Sequence, residues 1–279
     1  METEIQKATM TAYELLALIM SALALVIPFV QWIWRKWIVK ADLKHYQTGH
    51  GYLFINRSGS YMRIQSVFEA INKPVSIKNI SLCITREYDN QQRNLSWSVF
   101  TSPTNMQFIG NNAFMNEIAH PFRIEANHVF CAFTEYTDQN RSAERTLSPY
   151  FTKLHEVACE YPLAGKTYNQ SVKEYLSTDE YQKAKQALEK ELFWTIGKYK
   201  AEITAQYGSK AKCFLLRFDI MREQESALKS NIDEMLLFPL KELYKVSPEM
   251  QAVEVQLSEV KRRDGLFRSG TEGRSFSFR

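Results

Sequence analysis

The run Leu15–Trp34, LLALIMSALALVIPFVQWIW, constrains this chain more than any other stretch. Its 20 residues carry no charge, and only Ser21 and Gln31 are polar. At about 1.5 Å per helical residue it spans about 30 Å, the thickness of a bilayer's hydrocarbon core. A cleaved signal peptide would open on basic residues, but Glu2, Glu4 and Glu14 outnumber Lys7 ahead of the run. No small-residue cleavage site follows it either. The expectation is a single transmembrane helix over residues 15–37, preceded by an N-terminal extension, 1–14.

The flanks set an orientation. Arg35, Lys36, Lys40 and Lys44 follow the run, opposed only by Asp42. Cytoplasmic flanks carry the Lys/Arg excess, which predicts an N-terminus outside and a cytoplasmic C-terminal body. Trp32, Trp34 and Trp37 fit an inner aromatic belt, and Pro28 falls inside the span, where it removes one helical hydrogen bond. Ala17, Ser21 and Leu25 form an i, i+4 row small enough for helix–helix contact, a surface for self-association. Four scattered cysteines, Cys83, Cys131, Cys159 and Cys213, show no disulfide framework and fit a reducing compartment.

The body opens as short β runs over 38–137. Val39 to His50 reads as a polar connection, followed by a strand at Tyr52–Asn56 and a turn at Arg57–Ser60. Tyr61–Ala70 alternates, with Met62, Ile64, Phe68 and Ala70 on one side. In Val75–Arg86 the apolar phase shifts between Ile77 and Ile80, which predicts a bulge near Asn79. Further strands fall at Leu95–Val99, Phe122–Ile124 and Val129–Glu135. Short strands at about ten-residue spacing argue for an antiparallel sandwich.

Over 138–192 the period turns helical. One helix is expected to start at Ser148–Pro149 and a second at Ser177, where Ser177 and Glu180 have capping-box spacing. The segment 193–261 supplies a hairpin, Lys198–Tyr207 and Phe214–Ile220 around Gly208, then a helix over Ser226–Lys245 and a final strand over Gln251–Val260. Gly197-Lys198-Tyr199 after Trp194 resembles the tyrosine corner of immunoglobulin-like sandwiches, although Ala201 stands where antibody domains place a cysteine. The fold class is therefore mainly β with helices: an N-terminal transmembrane helix, then an immunoglobulin-like β-sandwich with helical insertions.

Chemistry is sparse. There is no HExxH, no GxSxG and no glycine-rich dinucleotide fingerprint. Ala164-Gly165-Lys166-Thr167 falls short of a phosphate loop, because Glu160 holds the place of its first glycine and would repel phosphate. His155 and Cys159, i and i+4 on a helix, can converge on one ion, and His128 with Cys131 would complete a two-His, two-Cys zinc site. An i, i+3 pair on a strand points to opposite faces, so core cysteines and surface histidines are the plainer reading, with no metal and no cofactor. The tail over 262–279 is read as disordered. From Lys261 it carries Arg262, Arg263, Arg268, Arg274 and Arg279 against Asp264 and Glu272, so it accounts for the chain's net +4. It can meet anionic lipid or, as the disfavoured partner, nucleic acid. The functional expectation is a membrane-anchored interaction or sensing module without catalysis, with a protein partner of unstated kind. The alternatives are an oligomerising membrane effector of a stress or phage-defence system, and an enzyme with an unfamiliar His/Cys site.

Overall fold

Alternating burial runs along the long strands and decides the architecture. The computed structural model describes residues 12–57, 59–104, 113–138 and 140–260. Helix α1, Ala12–Ile33, passes through Pro28 and ends in a π-helical turn, Trp34–Ile38. Three residues later β1 begins, Asp42–Asn56, followed by β2, Gly59–Ile71, and β3, Val75–Arg86. Next come β4, Gln92–Thr104, β5, Ala113–Ile118, β6, Phe122–Ile124, and β7, Val129–Thr137. Three helices interrupt the sheet: α2, Ser142–Leu163, α3, Tyr168–Tyr175, and α4, Asp179–Glu191. The chain closes with β8, Gly197–Tyr207, β9, Lys210–Ile220, α5, Arg222–Leu243, β10, Val253–Gln256, and β11, Ser258–Glu259.

The strands form one sheet in the order β10-β1-β2-β7-β4-β3-β8-β9-β11, with β5 on β4 and β6 on β3. It is a near-closed barrel. The two-sheet immunoglobulin-like sandwich expected from strand spacing is not shown, because a single ladder of hydrogen bonds links the strands. Closure comes from the C-terminal segment. Val253 pairs with Leu53 of β1, and Ser258, five residues on, pairs with Arg217 of β9. Between them the Leu257 amide donates to the Gly49 carbonyl at 2.8 Å. Nearer α1, the same seam is bridged by the Lys212–Asp42 ion pair at 2.7 Å.

Inward positions such as Leu53, Ile64, Phe68, Ile80, Leu82 and Ile203 are fully or almost fully buried. Each such side chain stabilises the barrel by roughly 1.5–3 kcal/mol relative to exposure. The anticipated bulge is present as a register shift between Ile77 and Asn79 against β8. Helices α2, α4 and α5 pack on one another over the end of the barrel opposite α1. Tyr175 pins them, donating to the Leu236 carbonyl at 3.1 Å, and Tyr181 donates to Asp233 at 2.9 Å.

Several boundaries differ from expectation. The supposed polar connection Val39–His50 is mostly the first half of β1, where Leu43 and His45 point inward among outward polar residues. Helix α2 begins at Ser142 rather than Ser148, because Asp138 accepts from the Ser142 amide and hydroxyl. Ser148 and Pro149 lie within it. Helix α4 is capped by Thr178, one residue past Ser177, through the Tyr181 amide at 3.2 Å. The final strand is split in two by its change of partner.

Candidate functional site

The residues singled out in the sequence fall in separate places. His155 and Cys159 share a face of α2, with Cys159 Sγ 3.7 Å from His155 Nε2. His128 lies in the turn before β7, and Cys131 is exposed on β7 opposite Val67 of β2. Among the described residues no group of three or more His, Cys, Asp or Glu is placed to hold a metal ion. Arg262, Arg263, Arg268 and Arg274 lie outside the described residues. Ala17, Ser21 and Leu25 are uncovered on α1, which buries none of its residues against the body. The Ala164–Thr167 stretch is a helix junction: Gly165 has positive φ, Lys166 bonds Glu174 at 2.5 Å, and Thr167 and Gln170 cap α3.

Three of the clefts among the described residues gather polar or charged side chains of interest. The first, about 480 Å³, lies on the helical cap and gathers Arg57, Glu144, Phe151, His155, Glu156 and Glu242. The Arg57 guanidinium is held over the rings of Phe151 at 4.9 Å and Phe238 at 5.5 Å. Each such contact contributes about 0.5–1 kcal/mol at exposed sites. The histidine there is bonded to a thiol and not to a carboxylate, so no base is oriented in the way hydrolytic triads require.

The second cleft, about 860 Å³, opens on the barrel seam between β9 and β10. Its lining mixes signs: Lys198 and Arg217 stand among Glu87, Asp219 and Glu254, with Glu87 already 3.1 Å from Lys200. The third, about 590 Å³, lies where α1 meets the barrel and is lined by Trp34, Val39, Asn72, Lys73 and Asn127. Lys73 Nζ donates to the Lys36 carbonyl at 3.0 Å, and the Asn72 amide donates to Asn127 Oδ1 at 3.1 Å. Sequence reasoning missed this cleft. Asn72-Lys73-Pro74 has the residue types of a turn, but nothing local in the sequence brings Asn127 to it.

Inside the barrel, His45 is buried between the rings of Phe68 and Phe214, at 5.0 and 5.1 Å. Its Nε2 has no hydrogen-bond partner, and burial pushes its pKa down to about 4.

No protein-family model matches this chain. No curated protein matches it. Among solved structures it is similar to a family 123 glycoside hydrolase from Clostridium perfringens, with 10% identity over 65% of its length and a TM-score of 0.29. The chain spans 27% of that enzyme. A likeness at that level carries no argument about activity.

Proposed function

We propose that the chain is a single-pass, membrane-anchored interaction or sensing module, with its N-terminus outside and its barrel in the cytoplasm. One observation supports this most. The helical run Ala12–Ile38 is long and apolar enough to cross a membrane, and the body covers none of it. It enters β1 through three residues, Val39–Ala41, so the barrel would stand directly on the bilayer. The basic flank at Lys36, Lys40 and Lys44 supports the cytoplasmic placement. Work by binding rather than catalysis fits a barrel whose interior is filled with side chains. The uncovered row Ala17, Ser21 and Leu25 gives the anchor a surface for pairing with a second copy.

A cysteine placed at Thr3 tests the topology on intact cells. It should react with a membrane-impermeant thiol reagent while the exposed Cys131 stays protected. Labelling of Cys131 alone would reverse the orientation.

The cap cleft supports a second reading, an enzyme acting through His155 and Cys159. Glu144, Glu156 and Glu242 gather there with the histidine, whose ring lies 3.7 Å from Cys159 Sγ outside the cleft lining. Under that reading, alkylation of Cys159 should slow sharply in a His155→Ala variant. Equal rates would leave the cleft as surface relief.

A further inference from the structure

We propose that the end of the barrel facing α1 is a docking surface for anionic phospholipid, with one headgroup seated in the cleft between Trp34 and the Asn72–Lys73 turn. This rests on the anchor reading and adds the partner of the barrel itself.

Strand register gathers the surface. Asp42 pairs with Ile71, Val75 with Ile124, Ile77 with Tyr207 and Tyr207 with Lys210. The start of β1, the β2–β3 turn, β6 and the β8–β9 turn therefore share one end of the barrel. On it stand Lys36, Lys40, Lys44, Lys73, Lys78 and Lys210, none of them in an ion pair among the described residues. The acids of this end are engaged. Asp42 is held by Lys212 at 2.7 Å, Glu125 by Arg123 at 2.9 Å, and Glu69 accepts from the Tyr46 hydroxyl at 2.6 Å.

The far side is the opposite. From Arg222 to Glu249, over α5 and the turn after it, the chain carries six acids, beginning with Glu223 and Glu225, against Arg222, Lys229, Lys241 and Lys245. A body polarised this way presents its positive pole to whatever lies beneath the barrel.

The cleft supplies the chemistry for a phosphate. Lys73 is aimed along it, tethered to the end of the anchor by its bond to the Lys36 carbonyl. Asn127 engages Asn72 through its carbonyl oxygen, which leaves its NH2 as a donor. Trp34 forms the opposite wall, and an indole suits the headgroup level of a bilayer. The connector favours lipid over soluble polyanions. Three residues reach at most about 10 Å, within about one screening length of the membrane surface.

The full-length chain in nanodiscs tests this by amide hydrogen exchange. With phosphatidylglycerol mixed into phosphatidylcholine, exchange at Asn72, Lys73 and Asn127 should slow about tenfold relative to phosphatidylcholine alone. Lys73→Glu with Lys210→Glu should remove the slowing while exchange in α2 and α5 stays unchanged. Equal exchange in the two lipids would overturn the proposal. Slowing by inorganic phosphate in neutral discs would assign the cleft to a soluble anion and overturn it too. Failure of the chain to enter either disc would instead defeat the anchor reading, a result visible before any exchange is measured.

Discussion

The hydroxyl of Tyr199 is held by both backbone groups of a single residue, Thr195. It donates to the Thr195 carbonyl at 2.8 Å and accepts from the Thr195 amide at 2.8 Å. The ring stacks on Phe218 at 5.0 Å and is fully buried, and burial raises the pKa of the phenol. The bond therefore locks the turn between α4 and β8 to the barrel wall. Tyr199→Phe should strand two polar groups and cost about 1–3 kcal/mol, read as a lower denaturation midpoint. An unchanged midpoint would mean that water replaces the hydroxyl.

That corner also shows what the sequence could and could not tell. Gly197-Lys198-Tyr199 is a local signature, and the Tyr199 hydroxyl does bond back to Thr195, but it does so in one near-closed sheet and not in the immunoglobulin-like sandwich the resemblance implied. The bulge at Asn79 was equally local, written in the phase of Ile77 against Ile80. What escaped was pairing at a distance. The single final strand read over Gln251–Val260 is two short strands, and it closes a barrel because β1 and β9 flank it on either side. A sandwich and a barrel share the same alternation, and only the partner of the last strand separates them. The first half of β1 was hidden for another reason: His45, a polar type, takes an inward place.

Arg86 depends on the same turn. Its guanidinium meets Asp89 through two bonds, at 3.1 and 2.6 Å, and reaches the Phe193 carbonyl at 3.1 Å and Thr195 Oγ1 at 3.2 Å. Lysine cannot reproduce this fork. Arg86→Lys should cost about 2–4 kcal/mol, less than for a fully buried pair because Asp89 is partly solvated. Both Arg86 and Tyr199 hold Thr195, so the double variant with Tyr199→Phe should be non-additive by more than about 0.5 kcal/mol. Simple additivity in denaturation would separate the two networks.

Acid should loosen the barrel through His45 before it reaches the carboxylates. The buried ring has a folded pKa of about 4 against an ordinary 6.5, so the unfolded chain takes the proton more readily. Stability is then full above about pH 6.5, falls as pH drops toward 4, and levels off below, by a total on the order of 3 kcal/mol. Asp42, held low by its bond from Lys212, and Asp89, held low by Arg86, act in a lower window. Their contribution is complete above the ordinary 3.8 and is lost as pH falls through their folded values. Midpoints measured between about pH 5 and 7, above the carboxylate window, should slope in the wild-type chain and be nearly flat in His45→Leu. A slope that survives the substitution would assign it elsewhere.

Gly59 joins the barrel to its helical cap, and no larger residue fits there. Its φ is +99°, a conformation that side chains strain against, and a Cβ would lie 2.7 Å from the Ala143 Cβ of α2. Neither atom can rotate away, since both are fixed to backbone. Gly51 makes a useful contrast: a Cβ there would meet Met62 Cε at 2.9 Å, the free end of a flexible side chain. Gly59→Ala should cost about 2–4 kcal/mol, combining backbone strain with overpacking, and Gly51→Ala about 1 kcal/mol. Adding Ala143→Gly to Gly59→Ala removes the clash but not the strain, so it should recover only part of the loss. Full recovery in urea denaturation would show that packing alone sets the requirement at Gly59. No recovery would place all of it in φ.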